Sequence, residues 1–423
     1  MNSRVCLQRR VLSLALVMAT SLGPALSQTT VLITEFTVPT ADSFPYGITA
    51  GPDGALWFTE KNANKIGRIT PKGAITEYII PPLALGGGSP SDITLGPDGA
   101  LWFGDVLHIG RITTAGAITH YETDPGQQGR SITTGPDGAL WFTEFNVSRI
   151  GRITVSGSYG SPYGQADAFF RGITAGPDGA LWITVGGAPP DFTNIRRITT
   201  SGIVTAEYSV DGNLVGITAG PDGALWFTDN GRDKIGRITT SGTITTYALP
   251  RGSRPAASPE SITTGPDGAL WFTEFAGNNI GRITTSGVIT RFEIPTTSDS
   301  NSCPFDSSGP QSIAAGPNGS IWFTESCGNK IGRLFLVPTT IPALLSFLES
   351  LGLPHGTQTS LMAKLNAAQR SSDRGNMKAA CNQLNAFVNE VNGLSLNGGV
   401  DGPTALALVE GANAIRSSLG CPL

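Results

Sequence analysis

Apolar and polar positions follow one pattern that returns seven times between about residue 44 and residue 335. Its clearest copy reads GITAGPDGALWFTE from Gly47 and NKIGRITPKGAITEYIIP from Asn64. Residues 47–50 read as a short innermost strand, and Gly51-Pro52-Asp53-Gly54 as a tight turn in which proline presets φ and glycine accepts a positive one. In the second strand, residues 55–59, Leu56 and Phe58 point one way and Trp57 the other. Both faces are therefore apolar, as a strand needs when a neighbouring sheet covers each side. Residues 66–70 form the third strand, Pro71-Lys72-Gly73 the next turn, and residues 74–79 the outer strand.

All seven tryptophans belong to this block: Trp57, Trp102, Trp141, Trp182, Trp226, Trp271 and Trp322, at spacings of 45, 39, 41, 44, 45 and 51. A period of 40 to 50 residues built of short strands predicts the blades of a propeller. After residues 331–334 no outer strand follows, while residues 31–36, VLITEF, match ITEY of the first copy with no blade before them. The N-terminal strand is thus expected to complete the seventh blade and close the ring, which removes an open sheet edge.

Beyond Pro338 the period changes. Leu361, Leu365 and Ala368 fall on one helical face, as do Leu384, Phe387 and Val391, and Gly352, Gly375 and Gly393 offer stops. The fold class expected is an all-β seven-bladed β-propeller followed by a small all-α module. Its divisions are a leader at 1–27, the propeller at 28–337, a linker at 338–342 and the helical module at 343–423.

Composition adds compartment and partner class. Arg4, Arg9 and Arg10 precede an apolar run and the small-residue tripeptide Ala25-Leu26-Ser27, the pattern of a cleaved secretory leader. The run is interrupted by Gly23-Pro24 and is too short to span a bilayer, so no transmembrane anchor is expected in the mature chain. The reading is a secreted or periplasmic protein. Only 28 basic residues face 32 acids, and no basic run follows the leader, which excludes a nucleic-acid surface. Cleavage leaves Cys303, Cys327, Cys381 and Cys421, and two disulfides inside their own regions, Cys303 to Cys327 and Cys381 to Cys421, are expected.

Candidate chemistry comes from the blade text. GPDGALWFTE with IGRIT and ITEY resembles the streptogramin lyases, the virginiamycin B lyase family, over all seven blades, and SDRGNMKAACNQLNAFVNEVNGL resembles the small helical FIMAH domains. The first resemblance implies a seven-bladed propeller that opens a cyclic ester by elimination with a bound magnesium ion. It sets the general base at Gln311, a first metal-binding glutamate at Gly309 and a second at Glu325. Glutamine cannot abstract a proton at neutral pH. The leading expectation is therefore a non-catalytic scaffold that binds a small molecule or protein at the propeller mouth. The alternative is a metal-assisted carbon-oxygen lyase with relocated acid-base groups.

The column of the missing histidine holds Tyr46, Ser91, Arg130, Arg171, Val215, Glu260 and Gln311. Blade architecture does not require these side chains, so Tyr46, Arg130, Arg171, Glu260 and Gln311 are candidates for a ligand, with Glu274 expected to meet Glu260 at the mouth. Arg130 and Arg171 opposite Glu260 would suit a carboxylate or phosphate. An acid also ends the second strand in six repeats, as Glu60, Asp105, Glu144, Asp229, Glu274 and Glu325. These are expected to pair with the repeated Arg68, Arg111, Arg152, Arg197, Arg237, Arg282 and Arg333. His108, His120 and His355 read as surface residues.

Overall fold

The computed structural model describes residues 13–18, 30–82, 88–106, 108–123, 129–144, 149–163, 169–186, 193–251, 256–297 and 307–422. Seven antiparallel sheets follow one another around a ring. In the first blade the strands are Pro45–Ala50, Leu56–Glu60, Lys65–Ile69 and Ile75–Ile79, ordered from the axis outward. The ring closes as the sequence predicts: Thr30–Thr37 pairs antiparallel with Lys330–Leu336, Val31 opposite Leu336 and Thr37 opposite Lys330. Ser13–Met18, in the segment read as a leader, lies along the outer edge of this strand as a fifth member of the sheet. Among the described residues no helix is long and apolar enough to cross a membrane.

Each tryptophan is fully buried and organises its blade. In six blades the indole Nε1 donates to Oδ1 of the aspartate in the GPDG turn at 2.9–3.1 Å. Oδ2 of the same aspartate accepts from the repeated arginine at 2.6–2.8 Å. The repeated arginines therefore pair with the turn aspartates, Asp53, Asp98, Asp137, Asp178, Asp222 and Asp267, and not with the acids that end the second strand. Register explains the correction: Arg68 lies opposite Trp57, three residues along from Glu60, whose own partner across the strands is Lys65.

Side chains compensate one another across strands. A Cβ on Gly67 would lie 2.1 Å from the Phe58 ring, so glycine is required beneath that phenylalanine. In the fourth blade the equivalent pair is Arg196 and Ile183, which face each other in the same register. The smaller aliphatic side chain leaves room for the arginine, which pairs with Glu207 at 3.1 Å. The third blade has three regular strands, and its outer position is held by two isolated bridges, Ile150 to Tyr163 and Ile153 to Tyr159. Gly160 and Pro162 interrupt the strand there.

The seventh blade departs in its turn, where Asn318 stands in place of the aspartate. Trp322 Nε1 donates instead to Ser320 Oγ at 2.8 Å. Arg333, fully buried, turns to the helical module, where Asp401 Oδ1 and Thr404 Oγ1 each lie 3.5 Å away, while Nη1 donates to the Pro71 carbonyl at 2.7 Å. Burial pulls its pKa down to about 10, with Asp401 working the other way.

Four helices form the module: α1 (Ile341–Ser350), α2 (His355–Asp373), α3 (Met377–Leu396) and α4 (Gly402–Ser418). Thr340, Asn376 and Asp401 cap α1, α3 and α4 through their side chains. The first helix begins at Ile341, inside the segment read as linker. Leu344, Leu361, Leu365, Leu384, Phe387 and Leu408 share one core, and Cys381 is bonded to Cys421. Cys327 is also disulfide-bonded, whereas its expected partner Cys303 lies outside the described residues. The module rests on the seventh blade through Leu32, Phe335, Val337 and Ala407, with Phe347 edge-on to Phe335.

Candidate functional site

The innermost strands are not regular. In six blades the register shifts between the first paired residue and the apolar anchor three residues later, for example between Pro45 and Ile48. Such a bulge re-aims side chains without breaking the sheet. The two residues inside each shift surround the axis, and, Arg130 of the third blade aside, they line a cavity of about 90 Å³ together with Asp92. Tyr46, Arg171, Glu260 and Gln311 all line it, as does Val215.

The second residue of each pair is small: Gly47, Ser131, Gly172, Gly216, Ser261 and Ser312. Neighbouring blades approach too closely for more, since a Cβ on Gly172 would lie 2.5 Å from the Val215 carbonyl oxygen and one on Gly216 2.6 Å from that of Glu260. Six threonines strap the ring together here. Thr59 Oγ1 accepts from Gly47 N at 2.9 Å and donates to the carbonyl of Ser91 in the next blade at 2.5 Å. Thr143, Thr184, Thr228, Thr273 and Thr324 repeat both bonds, the last reaching Tyr46 and closing the circle.

The second blade lacks this hydroxyl, because Gly104 occupies the threonine column. Asp92 takes over the link. Its Oδ1 accepts from Ile93 N at 2.9 Å, and its Oδ2 accepts from Ser131 Oγ at 3.2 Å and Ile132 N at 3.3 Å in the third blade. Burial raises its pKa to about 6 against the pull of these donors. Sequence reasoning missed Asp92 because it took Ser91 for this blade's channel residue. Ser91 is buried and donates to the Gly104 carbonyl at 3.3 Å. The signal was an acid in a column of glycine and serine.

The other candidates divide. Glu260 Oε1 accepts from Asn230 Nδ2 at the cavity wall. Lys61 Nζ stands 4.7 Å from the Tyr46 ring centroid. The Arg130 side chain lies outside the described residues. Glu274 does not meet Glu260: it is buried in its own blade, where Arg291 binds both carboxylate oxygens and Asn279 donates at 3.3 Å. Burial still raises its pKa, against the pull of Arg291.

Gly309, Gln311 and Glu325 do not fit a magnesium ion. Gly309 has φ of 66°, and a Cβ there would stand 2.5 Å from Cys327 Sγ. Glu325 is absent from the described lining of the cavity. Its carboxyl is fully buried, with a pKa raised by burial and by the neighbouring Glu35, and Lys330 and Ser308 pull the other way. Among the described residues no group of three or more His, Cys, Asp or Glu side chains could hold a metal ion.

Glu325 illustrates what the strand-end acids do. It shares its site with Glu35 from the outer strand and Lys330 from the third, Lys330 Nζ lying 3.1 Å from Glu35. Glu60, Glu77 and Lys65 repeat the trio in the first blade, and burial, followed by the charge of Glu77, raises Glu60 to about 7. In the second blade the same three places hold Asp105, His108 and His120. The two imidazoles therefore do not stand on the surface: His108 is buried, His120 is half-buried, and their rings meet edge-on at 6.0 Å.

Residues 24–122 and 105–300 match the Virginiamycin B lyase family, and residues 342–417 match the FIMAH domain. A virginiamycin B lyase from Saccharopolyspora erythraea is 53% identical over 49 residues, 12% of this chain and 16% of that protein. The curated relatives are thus matched over only about a sixth of their length. Solved structures align far more completely. Selenomethionine-substituted virginiamycin B lyase from Staphylococcus aureus is 38% identical, with 73% of this chain and 100% of that chain covered and a TM-score of 0.64. A catalytically inactive form of the Staphylococcus aureus enzyme with quinupristin gives the same identity and coverage at a TM-score of 0.63.

Proposed function

This chain belongs to the virginiamycin B lyase family, and from that premise we propose that it is an exported binding module which holds a ligand at the channel mouth and does not open a cyclic ester. The observation that carries this reading is the surrounding of Gly309. The family places a metal-binding glutamate there. In this chain the backbone is left-handed, and the space a side chain would enter is taken by Cys327 Sγ. Gln311, in the place of the base, offers an amide that donates and accepts hydrogen bonds but takes no proton at neutral pH. The channel keeps its ligand-facing groups, with Tyr46, Arg171, Glu260 and Gln311 converging on one cavity. Such a site retains recognition and lacks both the base and the Lewis acid that elimination needs.

The test is product formation from a type B streptogramin in excess magnesium. No linear product is expected. Restoring histidine alone, as Gln311→His, should also stay silent, because the metal position remains blocked. Turnover by the natural protein that Glu260→Gln abolishes would replace this reading with a lyase whose base has moved.

A further inference from the structure

The cavity at the axis is small. Its volume of about 90 Å³ compares with roughly 300–1,000 Å³ for a pocket that encloses a whole drug-sized ligand. A ligand therefore enters it with one projecting group and rests the remainder on the mouth. The lining says which group. Asp92 carries a carboxylate with about four acceptor sites. Three are used, by Ile93 N, Ser131 Oγ and Ile132 N. All three donors are neutral, and among the described residues no cation contributes to its electrostatic balance. Asp92 is half-buried, and a carboxylate drawn out of water without a counter-charge is costly. A second acid, Glu260, lines the same cavity.

We propose that Asp92 anchors a positively charged amino or guanidino group projecting from the channel ligand. The inference rests on the reading of the channel as a binding site and names the chemical class that the site selects. Arg171 in the same wall suits a carboxylate on the part of the ligand outside the cavity. The inter-blade bonds of Asp92 do not compete with this role, because both fall on Oδ2, while Oδ1 accepts only from Ile93 N, and the residue lines the cavity. Asparagine in its place removes the charge and keeps one carbonyl oxygen for the inter-blade donors Ser131 Oγ and Ile132 N, at the cost of the bond from Ile93 N.

The experiment titrates the full chain with n-butylammonium, its neutral counterpart n-butanol, and acetate, read by saturation-transfer NMR. Butylammonium is expected to bind and butanol not. Asp92→Asn should weaken butylammonium about tenfold or more, the scale of one charge-assisted hydrogen bond, in a protein that still melts cooperatively. Glu60→Gln, which removes a buried acid away from the channel, should leave that affinity alone. Equal binding of butanol, or an Asp92→Asn protein with full amine affinity, would overturn the proposal. Acetate binding alone, lost in Arg171→Met, would overturn it while leaving the channel as a binding site. Cyclic-ester turnover with no probe bound would overturn both readings.

Discussion

A threonine hydroxyl between two blades does what neither backbone could do alone. Thr184 Oγ1 satisfies Gly172 N at 2.9 Å and the Val215 carbonyl at 2.7 Å, both at the buried wall of the channel. Valine has the same shape and no hydroxyl. Thr184→Val should cost about 2 kcal/mol, because a buried donor and a buried acceptor lose their partner together, and urea denaturation will read it as a lower midpoint with the same slope. The residue scale is also where the sequence was most and least legible. A sevenfold repeat makes every exception visible, which is how Tyr46, Arg171, Glu260 and Gln311 stood out and proved to share a cavity. Asp92 and Gly104 were exceptions of the same kind, but they mean something only as a pair, and that pair spans two strands. The arginines were assigned to the wrong acids for a related reason. Five of the seven repeats offer two carboxylates, and only strand register decides which one faces the guanidinium.

Within a blade, the outer strands carry a trio of ionisable positions that the repeat varies while keeping its place. Glu60, Lys65 and Glu77 become Asp105, His108 and His120 in the second blade and Glu325, Lys330 and Glu35 in the seventh. At His120 burial lowers the pKa, Asp105 raises it, and His108 lowers it again. Glu60 shows what such a position does to stability. Its pKa rises from the ordinary glutamate range to about 7 in the folded protein, so the native state holds the proton more tightly than the unfolded chain. The contribution to stability is complete below the unfolded value and is lost as pH climbs through 7. Glu60→Gln mimics the protonated acid. Its melting temperature should equal that of the parent near about pH 4 and exceed it near about pH 8, as calorimetry across that range will show. Periodicity predicted the strands themselves well. It did not foresee the third blade's outer strand reduced to bridges by Gly160 and Pro162, because aromatic residues at the right spacing, Tyr159 and Tyr163, still fill the neighbouring space.

Across the whole molecule, closure depends on one strand from the far end of the chain. A protein beginning at Thr40 lacks Thr30–Thr37 and leaves Lys330–Leu336 without its outer partner. Its melting temperature should fall by many degrees, since Val31, Leu32 and Ile33 are fully buried and each large aliphatic side chain contributes about 1.5–3 kcal/mol on burial. Closure was readable in the sequence from a simple imbalance, one outer strand without a blade and one blade without an outer strand. The seat of the helical module was not, because it depends on Arg333 losing its turn aspartate and on two strands 300 residues apart lying side by side.

That seat also sets an order in time. Leu32 comes from the N-terminal strand and Phe335 and Val337 from the last, and the face they present to Ala407 and Phe347 exists only once the two strands have joined. Pairing across so much intervening chain is slow compared with forming local helices. The module can therefore be folded and waiting while the ring is still open. When the two strands meet, docking of the module removes their apolar surface from water and draws the equilibrium toward the closed circle, so that a segment beyond the last blade seals the strand that precedes the first.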